Sequence, residues 1–416
     1  MGVKIFLIFL FSERVIFSGA NLSFIIRGYY MTNQSSVEKP KDLVVSPPPQ
    51  INGTMSKTRV MTYTFAALMI ITIITAVIWW PVMTPTADQM NTFAEAGITG
   101  FIAMPLGAIL LVNALIAVGV AVLSDFAIGK AAADSEVNTM SAAVFGLIVT
   151  LCYSLGLPGM ARAVEVMPLH VLSAPGCFIF IALTSFIGLV GFKKLQGMTG
   201  RKYLNPAAAA KFIVLLPFLF STFLIKEHWA PYADGGLSMP QLAGVVDKEM
   251  FGMYLQGCYG NPGIMNHPSA ESLMLLTKFH GWPGGASSVA VIIVGVALIL
   301  LLRNYFKWKI TATYFGSVAI MSLIMTGIYG GDPMTRLIFE LFIGSSIFLG
   351  FFMATDPATT PYTRTGQIIF GVGLGVLTVL IQVYMNFFGG ALLALLIMNL
   401  TVPFLDRIGI HKPFGR

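Results

Sequence analysis

Long apolar runs alternate with short polar connections along this chain of 416 residues. A run of about 20 apolar residues has the length that an α-helix needs to cross the ~30 Å hydrocarbon layer of a bilayer. The pattern therefore predicts an all-α integral membrane protein with about ten transmembrane helices. The predicted spans are residues 61–83, 96–123, 139–157, 169–192, 206–225, 286–302, 310–329, 334–354, 366–384 and 387–405.

The longest connection separates the predicted spans into two sets of five. Gly, Pro and Asn are frequent in this connection, which favours turns over helix. Two sets of equal size are typical of transport proteins built from an internal repeat, so we expect a five-plus-five pseudo-repeat bundle. The expected segments are a poorly ordered cytoplasmic tail (1–60), a first five-helix half (61–226), an extracytoplasmic loop (227–285), a second five-helix half (286–405) and a cytoplasmic tail (406–416).

Composition supports a membrane protein, and the basic residues predict its orientation. Hydrophobic residues make up 56% of the chain and charged residues 10%, whereas a soluble domain carries about 25% charged residues. The net charge of +7 does not indicate nucleic-acid binding, because the basic residues lie in short connections between apolar runs. Lys and Arg concentrate after every second span, which predicts a multi-pass protein of the cell (inner, cytoplasmic) membrane with both termini in the cytoplasm.

The cysteines and histidines do not form a metal-binding pattern. Cys152, Cys177 and Cys258 lie far apart, and no Cys-x-x-Cys pair is present. We therefore expect no iron–sulfur cluster or zinc site held by this chain alone. The five histidines are scattered, and no Gly-rich nucleotide motif occurs in a strand–helix context. Neither a metal site nor NADH binding is expected.

Residues 197–212, GMTGRKYLNPAAAAKF, place basic residues and an Asn-Pro pair between two apolar runs. Asn205 is a favourable N-cap, and Pro206 suits the first turn of a helix because the amide hydrogen it lacks would be unpaired there. The free amides and positive dipole at a helix start form a site for an anion. Asn205, with Thr199 and Gly200 shortly before it, is therefore a candidate for cofactor binding. Ordinary capping combined with topology-setting charges is the alternative.

Asp356 and Pro357 predict a similar helix start in the second half of the chain, with Arg364 a short distance further on. Asp356 and Arg364 therefore join the candidate cofactor-binding residues. Ordinary capping is again the alternative.

Several segments together resemble one family of membrane proteins, which comprises the B-type subunit of the Na⁺-translocating NADH:quinone oxidoreductase and the D-type subunit of the Rnf electron-transport complex. The segment 197–212 resembles the family's GG-x-G-x-N-x-x-NPA stretch, and FFMATDPATTPYTRTGQIIFG (351–371) resembles its TDPV stretch. LLALLIMNLTVPFLDR (392–407) is similar to the family's last span, which ends in a Pro, two residues and an Asp. SPPPQINGTMSKTRVM (46–61) and SEVN (135–138) resemble the segments before its first and third spans.

The resemblance implies ten spans and a role in a multi-subunit complex. Rnf complexes pass electrons between ferredoxin and an acceptor such as NAD⁺, and couple this transfer to the movement of Na⁺ or H⁺. The expected function is that of a membrane subunit of such a translocase, with other membrane and peripheral Rnf subunits and the lipid bilayer as partners. A stand-alone channel or transporter for a small solute and a flavin-free scaffold subunit are the alternatives.

The family also implies a flavin, with FMN joined by a phosphoester to a threonine in a motif like D-G-x-S-G-A-T. The corresponding residues here are 234–240, DGGLSMP, so the threonine position is Pro240, which has no hydroxyl. Ser238 is the nearest hydroxyl and is the candidate attachment point for FMN, and bound riboflavin or FMN is a further expectation. The alternative is a subunit without a covalent flavin, in which these residues only form a turn.

Acidic residues at or within the spans are candidate ion-path residues, because charges in the membrane are costly and often mark such paths. Glu136, Asp332 and Asp406 lie near the ends of predicted spans and match acidic positions of the family. Glu340 lies about two turns into the eighth span, and Lys211 in the fifth span is a candidate partner for it. Carboxylates that cap helices or reach the interface are the alternative.

Overall fold

The computed structural model describes ten stretches of the chain, all within one compact unit, Met55–Arg416. They are residues 56–84, 104–131, 138–153, 178–198, 202–214, 275–279, 282–303, 305–342, 346–384 and 390–409. Most of the predicted tail 1–60 and of the predicted loop 227–285 lies outside them, as do Glu136, Thr199, Gly200, Ser238 and Pro240.

The described part of the chain is predominantly helical. The elements are α1 (Lys57–Ile78), a two-stranded antiparallel hairpin of β1 (Met83–Thr84) and β2 (Met104–Pro105), α2 (Leu106–Ala131), α3 (Thr139–Cys152), α4 (Phe178–Leu195), α5 (206–214), α6 (Ser288–Leu301), α7 (Trp308–Tyr329), α8 (Pro333–Phe342), α9 (Ser346–Met353), α10 (Arg364–Tyr384) and α11 (Gly390–Leu405). Two helices change to the wider π-helical winding near their ends, α4 over Gly188–Leu195 and α9 over Leu349–Met353. Such π segments often occur at functional sites.

The helices agree with a multi-pass membrane protein. Among the described residues, α1, α2, α4, α7 and α10 are long and apolar enough to cross a membrane, and α8 with α9 makes a sixth if this pair, bent by 63°, is one span. Three further apolar helices, α3, α6 and α11, are shorter. A helix overlaps each of the ten predicted ranges, so the positions of the helices agree with the apolar runs.

The outer surface of the helices carries many large apolar side chains. Val77, Leu115, Leu300 and Phe404 are each 68 to 75% exposed. Large apolar side chains with this much exposure on several helices suit contact with lipid chains. The buried side chains instead form one continuous apolar core between the helices.

Two helix boundaries differ from the predicted ones for a physical reason. The first helix begins at Lys57, since the Ser56 side chain accepts a hydrogen bond from the Arg59 amide and caps it. The second helix is Leu106–Ala131 rather than 96–123. It continues past Asp125 because that carboxylate is paired inside the protein, and the Lys130 ammonium lies 4.7 Å from the centre of the Phe126 ring.

Small residues bring α7 and α10 into close contact, as is common in helix pairs within membranes. The Ser317 hydroxyl of α7 donates to the carbonyl of Gly371 in α10 at 3.4 Å. A Cβ atom on Gly375 would overlap the Ser317 Oγ and lie 2.8 Å from the Tyr314 carbonyl oxygen. These glycines are therefore needed for the distance between the two helices.

We expect Gly375→Ala to lower the free energy of unfolding by about 1–2 kcal/mol, because the added methyl group forces the two helices apart. The matched control is Gly316→Ala in α7, where an added Cβ meets nothing within 4 Å. That control should be neutral or slightly stabilising, since alanine favours helix more than glycine does. Thermal unfolding of both variants in the same detergent checks the prediction, and equal midpoints for the two would contradict it.

Candidate functional site

The end of α2, the start of α3, the end of α4, the start of α5 and the described residues just before α7 and α10 lie together at one end of the bundle, which we call the basic end. The Lys194 ammonium lies 2.6 Å from the carboxylate of Asp125 at the end of α2, and the Asn138 amide donates to the same carboxylate at 2.9 Å. Lys193 donates to the Ser141 carbonyl at 2.5 Å. These contacts hold the start of α3 against the ends of α2 and α4.

Asn205 connects the start of α5 to two helices of the second half of the chain. Its Oδ1 accepts from the Ala208 amide at 3.2 Å, which confirms the predicted N-cap, and its Nδ2 donates to the Met353 carbonyl at 3.2 Å. The side-chain oxygen of Asn399 in α11 accepts from the main-chain amide of Asn205 at 2.8 Å. Its side-chain nitrogen donates to the Thr359 carbonyl at 3.2 Å. The side-chain groups of Asn205 are therefore engaged within the protein.

The segment 354–363 forms a turn-rich loop at the basic end. The Asp356 carboxylate accepts from the Ala358 amide and from the Thr359 hydroxyl, both at 3.2 Å. The prediction that Asp356 begins the next helix is wrong, because α10 begins at Arg364 and the Thr363 hydroxyl caps it by accepting from the Gly366 amide at 3.1 Å. Asp356 instead stabilises the turn that precedes the helix.

Two further groups fix this loop. The Lys307 ammonium donates to the Thr360 hydroxyl at 2.7 Å and to the Pro357 carbonyl at 3.2 Å. Asp406, just after α11, accepts from the Tyr362 amide at 2.7 Å. Asp356 also lies close enough to Lys193 for their charges to interact. The loop therefore joins the polar groups of α4, α7 and α11, whereas the Arg364 side chain is exposed.

Asp332 lies at the start of α8, away from these contacts. Its carboxylate accepts from the Thr335 amide at 2.9 Å, as an N-cap does. Gly330 and Gly331 before it adopt φ angles of 80° and 99°, a region that favours glycine, and allow the sharp turn from α7. The structure thus shows the capping role for Asp332.

Two buried lysines hold the carboxyl ends of two helices inside the protein. Lys211 of α5 donates to the carbonyl of Cys152, the last residue of α3, and its ammonium lies 3.9 Å from the centre of the Trp282 ring. Lys278 donates to the carbonyl of Phe342, the last residue of α8, at 2.5 Å, and to the Ser288 hydroxyl at 3.0 Å. A cation suits this position because the carboxyl end of a helix carries partial negative charge.

The described residues 278–279 and 282–287 pack against α1 through their backbone. The Trp79 indole donates to the Lys278 carbonyl at 2.6 Å, and the Thr75 hydroxyl donates to the Pro283 carbonyl at 3.0 Å. Among these residues, the Lys278 amide donates to the Ala286 carbonyl at 2.8 Å. These partners are needed because non-helical backbone inside a membrane protein finds little water to bond. The sequence analysis did not identify Lys278. A lysine among apolar residues in LLTKF (275–279), inside a predicted loop, was the available indication that its side chain is buried.

Glu340 is buried in the interior of the second half. Only 2% of its surface is exposed, and Arg336, one turn earlier on α8, is its charged neighbour. The suggested pairing of Glu340 with Lys211 is not the arrangement found, since Lys211 bonds the Cys152 carbonyl. The charged neighbour of Glu340 is therefore Arg336 and not Lys211.

The described residues contain no group of three or more His, Cys, Asp or Glu side chains that could hold a metal ion. Cys152 is a buried free thiol at the end of α3. The cofactor-binding roles considered for Asn205, Asp356 and Arg364 stay predictions, as do those of the residues outside the described stretches.

Comparison with known proteins gives one consistent result. Residues 44–415 match the family model described as the NQR2, RnfD, RnfE family. The D-type subunit of the proton-translocating ferredoxin:NAD(+) oxidoreductase complex of Clostridium ljungdahlii is 29% identical over 243 residues, which are 56% of this chain and 68% of that protein. The D-type subunit of the Na(+)-translocating ferredoxin:NAD(+) oxidoreductase complex of Acetobacterium woodii is 29% identical over 239 residues, 55% of this chain and 67% of that protein. The D-type subunit of the ion-translocating oxidoreductase complex of Aliivibrio salmonicida is 27% identical over 277 residues, 62% of this chain and 76% of that protein.

Proposed function

Since the chain belongs to the NQR2, RnfD, RnfE family, we propose that it is a D-type membrane subunit of an ion-translocating ferredoxin oxidoreductase complex. Electron transfer in the complex drives Na⁺ or H⁺ across the membrane, and this chain supplies part of the membrane structure through which the ion moves. The family match over residues 44–415 is the observation that carries the proposal. The curated relatives are subunits of such complexes, so other Rnf-type subunits are the proposed partners.

The geometry of the basic end supports this assignment. Three of the five segments that carry the family resemblance contain Asn205, Asp356 and Asp406, which are far apart in the sequence. Asn205 bonds the Met353 carbonyl three residues before Asp356, and Asp406 bonds the Tyr362 amide in the same loop. The resemblance therefore falls on residues that one polar network joins, as expected of a shared functional surface.

The proposed topology has ten spans in two sets of five, with both termini in the cytoplasm and the basic end on the cytoplasmic side. The support is the concentration of Lys and Arg at the basic end, since positive charge is retained on that side. Lys278 and Pro283 pack inside the protein, and the preceding part of the predicted loop, residues 227–274, then lies on the outer side of the membrane. Labelling of single cysteines introduced there should occur with an impermeant reagent added from outside, and labelling only from the cytoplasmic side would contradict this topology.

Ion translocation provides the functional test of the proposal. In the assembled complex, Asp406→Asn should lower ferredoxin-dependent cation transport by about tenfold, because it removes a charge near the ion path while its amide oxygen still accepts from Tyr362. Lys130→Gln, an exposed change at the same end, is the control and should leave transport unchanged. Uptake by inverted vesicles measures both, and assembly is checked by co-purification. Unchanged transport in Asp406→Asn would remove Asp406 from the path; Glu136 and Asp332 are tested in the same way.

The stand-alone transporter is distinguished by a simpler experiment. Liposomes that contain this chain only should show neither solute flux nor redox-driven ion uptake if it is one subunit of a complex. Flux of a small neutral solute without redox partners would support the alternative instead.

The flavin proposal rests on Ser238, the one hydroxyl in the sequence 234–240. A covalently bound FMN supplies one-electron transfer chemistry, and the serine oxygen would form the phosphoester. The intact mass of the purified chain, compared with that of Ser238→Ala, decides the question. An increase by the mass of FMN less one water, which the phosphoester bond releases, supports covalent attachment if Ser238→Ala abolishes it, and an unmodified mass supports a subunit without covalent flavin.

A further inference from the structure

A set of buried oxygen atoms faces the bend between α8 and α9. Glu340 lies on the last turns of α8, before the 63° bend, and its Oε2 has no hydrogen-bond partner within the described stretches. A buried carboxylate oxygen without a partner is costly in a protein interior, and more so where no bulk water is near. The position of Glu340 therefore needs a compensating positive group or a bound proton.

Two neutral oxygens from the flanking helices share this feature. The Tyr314 hydroxyl of α7 and the Oε1 of Gln382 in α10 also find no hydrogen-bond partner among the described residues. Both side chains are buried, with exposures of 0% and 4%. The three oxygens come from three different helices, of which α7 packs against both α8 and α10.

Ser346 brings these side chains together. It is the first described residue after the bend, and its hydroxyl accepts from the Gln382 Nε2 at 3.4 Å. The Tyr314 hydroxyl lies beside Ser346 and Thr378, and within the electrostatic range of Glu340. The cluster thus offers four oxygen ligands for a cation, from a carboxylate, a phenol, an amide and a hydroxyl.

The charged and titratable groups around the cluster add no further oxygen ligand to it. Arg336 lies one turn before Glu340 on α8 and faces the Tyr329 ring of α7, at 5.9 Å from its centre. The Tyr329 hydroxyl bonds the Tyr384 hydroxyl of α10 at 3.0 Å. Lys278 is held by the Phe342 carbonyl at the end of α8. Arg336 offsets part of the charge of Glu340, but a guanidinium and an ammonium only donate and add no acceptor to the cluster.

We propose that Glu340, Tyr314, Gln382 and Ser346 form an interior binding site for a small monovalent cation, either a sodium ion or the proton that titrates the carboxylate. Oxygen ligands suit hard cations, and discontinuous helices near the middle of a membrane are typical places for the coupling ion of a transporter. The inference rests on the proposed function in that it names the site of the ion within the second half of the chain. No residue of the basic end is part of it.

Binding is tested on the full chain in nanodiscs of phosphatidylethanolamine and phosphatidylglycerol. NaCl is titrated against choline chloride at constant ionic strength, and the thermal midpoint is followed as a measure of ligand binding. If sodium is the ligand, it should raise the midpoint of the wild type, and Glu340→Gln should raise the half-saturating concentration by at least about tenfold. Tyr314→Phe should raise it by about fivefold through the loss of one ligand. Tyr305→Phe, at an exposed tyrosine outside the cluster, should leave it unchanged.

The proton is tested by infrared spectroscopy of the same samples. If the proton is the ligand, sodium has no specific effect and a carboxylic-acid band of the wild type disappears in Glu340→Gln and shifts in Tyr314→Phe. The absence of both the sodium response and a band assigned to Glu340 would overturn the proposal, as would identical behaviour of wild type and Glu340→Gln. Both measurements use the isolated chain, so a complex that fails to pump refutes the proposed function and leaves the binding result standing.

Discussion

Asp125→Ala should destabilise the protein by about 3 kcal/mol, one of the two largest losses we expect from a single substitution. The Asp125 carboxylate is buried and lies 2.6 Å from the Lys194 ammonium. Removal of one partner from a buried ion pair costs about 3–5 kcal/mol because the other charge is left in a poor environment. The lower value applies here because the Lys194 side chain keeps 16% exposure and partial contact with solvent. The Asn138 amide loses its acceptor as well, which loosens the start of α3.

Unfolding in detergent, followed by circular dichroism, measures the effect of Asp125→Ala. Lys130→Met is the matched control, because Lys130 is an exposed residue near the end of the same helix, and it should change stability by less than about 1 kcal/mol. A double-mutant cycle with Lys194→Met isolates the pair. A coupling energy near zero would show that the two charges do not stabilise each other.

Replacement of Lys278 by methionine is expected to cost about 2–3 kcal/mol. The substitution leaves the carbonyl of Phe342 and the hydroxyl of Ser288 without the ammonium that now donates to both. A hydrogen bond to a charged group contributes about 1.5–3 kcal/mol, and a carbonyl left bare in a membrane interior has no water to replace it. Methionine fills the volume of the lysine side chain, so the loss reflects the missing donor rather than a cavity.

Lys211→Met provides an independent repeat of this experiment in the other half of the chain. Its ammonium donates to the carbonyl end of α3 in the same way, and a similar loss is expected. The Lys130→Met variant again serves as the control for loss of a lysine charge. If either buried lysine gave a methionine variant as stable as the wild type, the cost of burying its charge would equal the benefit of the cap, and the lysine would not be needed for stability.

Sequence predicted the positions of the helices well, because each apolar run is long enough to be recognised without knowledge of its neighbours. It did not predict the bend between α8 and α9, because the residues 334–354 read as one apolar run. The second span was predicted to end at residue 123, whereas the helix continues past the buried Asp125 to Ala131. The partner of Asp125, Lys194, is nearly 70 residues away, and no local pattern indicates such a contact.

The polar network was predictable only where it is local. The N-cap of Asn205 follows from Asn-Pro at a helix start, and the structure confirms it. The contact of Asn205 with Asn399 depends on how α5 and α11 pack, which a single sequence does not encode in any short motif. For Glu340, the sequence does indicate a charged neighbour. Arg336 lies four residues earlier, and residues with this spacing are neighbours on a helix. The distant Lys211 was a poorer choice of partner.

The contact between α7 and α10 restricts how the second half can move. With backbone groups of α10 seated against the Thr313 and Ser317 side chains, even a small axial slide would drive these hydroxyls into the opposing main chain. α7 and α10 are therefore expected to move as one rigid unit. A rearrangement that opens the region around Glu340 therefore cannot occur by sliding of α10 along α7.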